Sequence, residues 1–422
     1  MVELSNRFDD DSTIERESVT ELMDGPRTDA LARARNAVAA AFALNGLCFA
    51  SWLSRTPSAR DTLSLTTVQL GLLLLCLSGG ACLALPVSGP VVHRLGPGRV
   101  VLFGSFGVGL GLLALAAGLA TRTVWPAAVG LVVTGMCMSN WDVAMNVAGA
   151  DVERRRGKTL LPRLHAAFSV GTVIGGAAGA ASAALGVPLT VQVIVAALLA
   201  PLTMSFAVRS FPPVAEVSRP GGGRTSSGGL RTWLEPRTLL IGVLTLTFAF
   251  TEGSANDWLA LALVDGHHTS EVLGALGFGA FVTAMTIGRL SGGALLERIG
   301  RVNALRATAV LALAGLSLVT LTGSVAWVLV GALLWGLGAS LGFPVGMIAA
   351  ADDPARAAAR VGVVSSIAYT AFLAGPPLIG ILAQHTGILH ALFVVLGALI
   401  IGLLVTGAVR PLPAADADRD RR

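Results

Sequence analysis

SNWDVAMN, residues 139–146, lies inside the apolar run VGLVVTGMCMSNWDVAMNVAG and brings a carboxyl group, Asp142, into it. An aspartate at the centre of a bilayer-crossing helix costs about 2.5–3.5 kcal/mol. The protonated acid costs less than the anion, so a side chain here is suited to taking up and releasing protons. Asn146 follows four residues on and therefore shares its helical face. Together they can hold a proton and hydrogen-bond a polar solute. A second polar stretch, TEGSANDW (251–258), carries Glu252 and Asn256 one turn apart, followed by Asp257 and Trp258. Asp142 and Glu252 are the expected proton-coupling pair. Asn45, Trp52, Asn140, Asn146, Asn256, Asp257 and Tyr369, the single tyrosine, are the candidate lining of a solute cavity. Each has a plainer reading. The acids can serve as permanently paired structural glue, Asp257 can approach the outer surface near Asp265, and Trp52 suits the membrane-interface belt. Arg289 reads as an inner-gate residue that either snorkels or pairs with a carboxylate. His165, beside a basic loop, reads as a structural hydrogen-bond partner.

The elements that position these groups follow from composition. Of 422 residues, 54% are hydrophobic and 13% charged, with a mean hydropathy of +0.73. Soluble domains carry about 25% charged residues. Apolar runs long enough for a bilayer recur at 33–54, 67–92, 98–120, 124–150, 165–186, 188–209, 238–263, 272–296, 303–322, 325–350, 361–384 and 387–409. They lack the period-two alternation of a barrel, so the expected fold is an all-α membrane protein of twelve helices.

Charge sets the expected topology. Taking the amino terminus as inside, the inner loops hold 17 Arg or Lys and the outer loops three: Arg55, Arg60 and Arg122. That bias places both termini in the cytoplasm. It also accounts for the net charge of +5 without nucleic acid as a partner. Residues 1–32 are polar and acidic, lack a signal-peptide pattern, and read as a disordered cytoplasmic tail. The Gly-, Pro-, Ser- and Arg-rich segment at 211–237 reads as a cytoplasmic linker between six-helix bundles at 33–210 and 238–410. A short cytoplasmic tail follows at 411–422. Cys48, Cys76, Cys82 and Cys137 fall within spans without metal spacing and read as packing residues.

The halves repeat. GPVVHRLG (89–96) follows the second span and GALLERIGR (293–301) the eighth. Gly130 and Gly331, Gly135 and Gly336, and Asp151 and Asp352 all stand 201 positions apart. A near-constant offset over half the chain indicates duplication. Gly89, His93, Arg94, Gly96, Gly293, Glu297, Arg298, Gly300 and Arg301 are the candidate gating-loop residues. The position matching Asp142 falls near Phe343, so the site is expected to be asymmetric.

Twelve spans, a duplicated six, a long central loop and this loop motif resemble the major facilitator superfamily over roughly residues 33–410. In that family two pseudo-symmetric bundles rock around a central cavity. His93 stands where the family usually has Asp, and Glu297 is a milder departure. WLSRTP (52–57), DVAMNVAGADVERR (142–155), PRLHAAFSVGTVIGG (162–176), TEGSANDW and AYTAFLAGPPLIG (368–380) are similar to a bacterial branch related to the fucose-permease group. The resemblance implies a secondary transporter in the bacterial inner membrane. It would be monomeric, would need no cofactor, and would move a small polar solute, most simply with protons.

Other classes fit less well. No phosphate loop is present and the chain has one lysine, Lys158, which argues against an ATP-driven pump. The six histidines are scattered without metal or catalytic spacing, which argues against an enzyme. A proton-antiport exporter of a drug or metabolite is the alternative. Against it, span four lacks an internal arginine and SVGTVIGGAAG in span five lacks a proline. A receptor on a transporter fold is the second alternative.

Overall fold

The computed structural model describes residues 5–157, 160–212, 232–353 and 356–411, with the side chains of 5–28 and 358 left out. Eleven continuous helices are long and apolar enough to cross a membrane. The longest, Glu271–Leu321, breaks at Gly300, whose φ is 74°. Twelve spans therefore stand among the described residues, and no strand does. In chain order they are α1 (Ser5–Leu53, its bilayer-length part Asp29–Leu53), α2 (Thr67–Leu95), α3 (Pro97–Thr121), α4 (Val124–Arg156), α5 (Leu161–Ala184) and α6 (Leu189–Ser210). After the central segment come α7 (Pro236–Gly266), α8 (271–299), α9 (301–321), α10 (Val325–Ala350), α11 (Ala357–Thr386) and α12 (Ile388–Val409).

Residues 1–4, 213–231 of the expected linker and 412–422 of the expected C-terminal tail lie outside the described residues, while 5–32, expected as a disordered tail, follow the helical course of α1. Helix α4 runs six residues past its expected end at 150. Arg154, Arg155 and Arg156 occupy its last turn, where cations suit the exposed carbonyls of a helix end. Thr66 and Gln69 form a reciprocal capping box at the start of α2. Glu153 caps the next helix by accepting from the Leu160 and Leu161 amides at 2.6 and 2.7 Å.

The duplication reappears in three dimensions. Gly96 between α2 and α3 has φ 80° and ψ 150°, and Gly300 between α8 and α9 has φ 74° and ψ 164°. Only glycine adopts that backbone freely, so the repeated glycine is where each helix ends and turns. Gly135 on α4 abuts the Leu77 carbonyl of α2, and Gly336 on α10 abuts the Phe281 carbonyl of α8. A side chain at either position would collide with the neighbouring backbone. Small residues permit this closeness where lipid offers no hydrophobic driving force between helices.

The end at which α2 passes into α3 and α8 into α9 is termed the inner end. Across the bundles, α2 packs on α11 and α5 on α8. Near the outer end Gly71 of α2 approaches the Pro376 carbonyl of α11, and Gly380 approaches the Thr67 carbonyl. Toward the inner end the bundles part.

Candidate functional site

Where the bundles part, a cavity of about 300 Å³ is lined by residues of both. The first bundle supplies Asn45, Phe49, Ser78, Cys82, Ser139 and Asp142 among others, and the second Asn256, Asp257, Tyr369 and Phe372. A second cavity of about 620 Å³ lies at the inner mouth between α5, α8 and α10, lined in part by His165, Ser169, Arg289 and Phe343. Phe168 lines both, so the two spaces adjoin at that residue.

Helical spacing explains the lining. Met138, Ser139 and Asp142 fall three and four residues apart on α4 and share one face. Ser78, Ala81, Cys82 and Leu85 do the same on α2, and Tyr369 and Phe372 on α11. The Asp142 side chain opens onto the cavity and forms no ion pair among the described residues. Asn146 donates to the Asp142 carbonyl at 2.9 Å and to its carboxylate at 3.4 Å. Asn45 donates to the Met138 carbonyl at 3.5 Å, tying α1 to the same face of α4. Asp257 reaches the cavity from α7 with no ion-pair partner among the described residues. Tyr369 sits between Phe343 and Phe372, ring centroids 6.4 and 6.2 Å away.

Four expected cavity residues thus meet there: Asn45, Asn256, Asp257 and Tyr369, together with the proton-coupling candidate Asp142. Asn146 reaches the site through Asp142 without lining the cavity. Trp52 and Asn140 do not line it. Trp52 is fully buried where the outer end of α1 packs on α6, beside the Gln192 bond to the Ser51 carbonyl at 2.6 Å. It is therefore neither a cavity residue nor a lipid-interface one. Asn140 sits two residues before Asp142, which turns it to another face, and it donates to the Met136 carbonyl at 2.9 Å.

Glu252 has a partner. Arg289 of α8 donates to its carboxylate at 2.7 Å, and the two side chains are 17% and 32% exposed. The acid facing the central cavity from α7 is Asp257, while Glu252 holds the arginine that lines the inner mouth. Of the two expectations for Arg289, pairing is the one observed. His165 packs edge-on against Phe42 at 5.2 Å and lines the same mouth.

The gating-loop residues divide by half. Arg301 donates to Asp352 at 2.7 Å, and Arg237 meets the same carboxylate at 2.9 Å. The matching Asp151 pairs with Arg154 and Arg155 of its own helix. His93, Arg94, Glu297 and Arg298 are exposed and make no ion pair among the described residues. Gly89 and Gly293 face open space, and Gly96 and Gly300 form the helix breaks.

The aromatic lining, Phe49, Phe168 and Phe372, escaped sequence reasoning. The signal available was spacing: Phe49 is four residues from Asn45 and Phe372 three from Tyr369. At the outer end, Arg55 of the first bundle bonds Glu271 at 2.9 Å and the Val187 carbonyl at 2.7 Å. Ser58 donates to the same carboxylate at 2.5 Å, and Arg60 pairs with Asp265. These bonds close the outer side of the cavity.

The chain matches the Major Facilitator Superfamily over residues 38–372 and 245–422. An uncharacterized MFS-type transporter of Yersinia pestis is 31% identical over 372 residues, which is 87% of this chain and 92% of that protein. The solved structure of the nucleoside transporter NupG superposes with a TM-score of 0.71 at 13% identity, over 89% of this chain and 98% of that one. A variant of the E. coli fucose:proton symporter FucP gives 0.57 at 15% identity, over 88% and 98%.

Proposed function

Because the chain belongs to the major facilitator superfamily, a family of secondary transporters, we propose that it carries a small polar organic solute across the bacterial inner membrane together with protons, by alternating access. The observation that carries this reading is the cavity between the bundles. It holds Asp142 from one bundle and Asp257 from the other, and among the described residues the ion pairs that cross between the bundles lie on its outer side. An acid that is unpaired inside the protein and open to a wet cleft is a natural proton carrier. Asn45, Ser78, Ser139, Asn256 and Tyr369 supply donors and acceptors for a hydroxylated or amide-bearing solute, and the phenylalanines supply faces for its apolar side. A volume of about 300 Å³ suits a small solute. NupG and FucP share the fold, and their named cargoes, nucleosides and fucose, are of this size and polarity.

In the proposed cycle, Asp142 and Asp257 take up protons and solute while the cavity faces outward. Neutralising the carboxyls lets the loaded cavity pass through its occluded form at lower electrostatic cost. The Arg55–Glu271 and Arg60–Asp265 bonds then form across the outer end and leave the cavity open inward. Glu252 keeps Arg289 neutralised at the inner mouth, where an unpaired guanidinium would oppose a proton-loaded site.

The test begins with a thermal-shift screen of sugars, polyols and nucleosides, since a ligand of the folded state raises apparent stability. Transport of the hit is then measured in reconstituted vesicles under an imposed pH gradient. Asp142→Asn should retain solute exchange while losing gradient-driven accumulation, and Asp257→Asn should weaken it. Full accumulation by both variants would remove these acids as coupling groups. A solute gradient that runs opposite to the proton gradient would make the protein an exporter.

A further inference from the structure

We propose that the inner ends of α2, α3 and α6 form a binding site for the headgroup of an anionic phospholipid. A groove of about 360 Å³ opens there, lined by His93, Arg94 and Arg99 on one side and by Val208, Phe211 and Pro212 on the other. No carboxylate lines it among the described residues, and neither Arg94 nor Arg99 forms an ion pair among them. On the far side of Phe211 and Pro212 a second groove carries Arg33, Arg155 and Arg209. The contrast with the second bundle is chemical. There Arg237 and Arg301 are neutralised by Asp352, and Arg356 and Arg360 by Glu235, while Arg298, the repeat counterpart of Arg94, is exposed like it. In the first bundle Asp151 holds Arg154 and Arg155, and it is Arg94 and Arg99 that stand open to an outside anion.

The surface above the groove identifies which anion. On α3, Arg99 is followed at helical spacing by Phe103, Phe106 and Leu110, all exposed. On α6, exposed Leu198, Leu202 and Phe206 lead down to Arg209, whose guanidinium lies 5.3 Å from the Phe206 ring centroid. The helices are in close contact. Gly109 of α3 approaches the Ala197 carbonyl, and Gly98 approaches Val208 and Phe211. An apolar track ending in unpaired arginines at the membrane surface matches a molecule with acyl chains and a phosphodiester. A soluble phosphate would use the arginines alone. Basic pockets between spans on this side of a membrane are suited to anionic headgroups.

The probe is phosphatidylglycerol, titrated into the full-length protein in detergent. Bound lipid is counted by native mass spectrometry and stability by thermal unfolding. Phosphatidylcholine and inorganic phosphate are the comparison arms. Phosphatidylglycerol should bind and stabilise in preference to both. Arg94→Gln and Arg99→Gln should each weaken its binding by about fivefold. Arg122→Gln, which removes the same charge at the outer end, should leave binding unchanged. Equal binding of phosphatidylcholine overturns the proposal, whether the chain's own acidic residues fill the groove or the arginines serve only to orient the protein. Equal stabilisation by inorganic phosphate also overturns it, and assigns the site to a soluble anion. Unchanged binding in both groove variants places the lipid elsewhere.

Discussion

The two ends of the cavity use charge in opposite ways. At the outer end, Arg55 and Arg60 of the first bundle reach Glu271 and Asp265 of the second, so each pair spans the seam. At the inner end the described pairs stay within a bundle. Asp352 holds Arg237 and Arg301, Glu235 holds Arg356 and Arg360, and Asp151 holds Arg154 and Arg155 of its own helix. In the proposed alternating-access cycle, pairs within a bundle would keep each half rigid whichever way it tilts, whereas pairs across the seam would exist in one tilt only. An ion pair of the second kind biases the conformational equilibrium, because it contributes to one state and not the other.

Glycine closeness adds to the bias, and breaking it gives the largest expected effect. An added Cβ at Gly71 would lie 2.6 Å from the Pro376 carbonyl oxygen, so Gly71→Leu wedges α2 from α11. Cys82 lines the central cavity and reports the result. In a chain keeping only that cysteine, a membrane-impermeant thiol reagent added outside should label Gly71→Leu at least about tenfold faster, a shift of about 1.4 kcal/mol. Transport should stop. Unchanged labelling would mean that the seam does not set access.

Next come the seam ion pairs. The Arg55 side chain is 7% exposed and Glu271 36%, whereas Arg60 and Asp265 are 18% and 31% exposed. Arg55 also satisfies the Val187 carbonyl. A double-mutant cycle of Arg55→Ala and Glu271→Ala on outside labelling should give a coupling of about 1–2 kcal/mol. The equivalent cycle for Arg60 and Asp265 should give about 0.5 kcal/mol. Equal couplings would argue that burial does not rank these pairs. Arg289→Gln should leave outside labelling unchanged, because its partner Glu252 belongs to the same bundle. A large change there would link the inner mouth to the outer seam and blunt the contrast between the ends.

Much of this was legible in the chain. Twelve apolar runs and a repeat with a near-constant offset specify the fold because lipid permits few alternatives to a helix, and duplicated glycines keep duplicated contacts. Asp142 was legible because a carboxyl in an apolar run has few tolerable positions. The pairing of Glu252 with Arg289 was not, since it depends on how α7 and α8 are rotated about their own axes. In spans apolar on every face, no periodic contrast records that rotation. The same absence of contrast hid Phe49, Phe168 and Phe372, and it made Trp52, buried in the core, look like a cavity or interface residue. The seam pairs were hidden for a different reason: Arg55, between α1 and α2, and Glu271, at the start of α8, are 216 residues apart, and nothing local marks them as partners.

The smallest effect tests the rigidity of the inner end. Glu235 precedes α7, outside the span. Burial pushes its carboxyl up, but hydrogen bonds from Arg360, Thr238 and Arg356 outweigh burial and hold it below its ordinary value of 4.5. A carboxyl lowered in the folded state contributes stability above the unfolded value, and loses it as pH falls through the folded value. Glu235→Gln should therefore melt below the parent at pH 7, by about 1–2 °C because a partly exposed cluster is weak. The gap should close as pH drops below 4.5, where the parent's own carboxyl becomes protonated. Since these bonds lie within one bundle, outside labelling of Cys82 should not move with the melting temperature. Were acid and Glu235→Gln both to open the outer end, the inner pairs would be part of the switch, and the division between rigid halves and a charged seam would have to be redrawn.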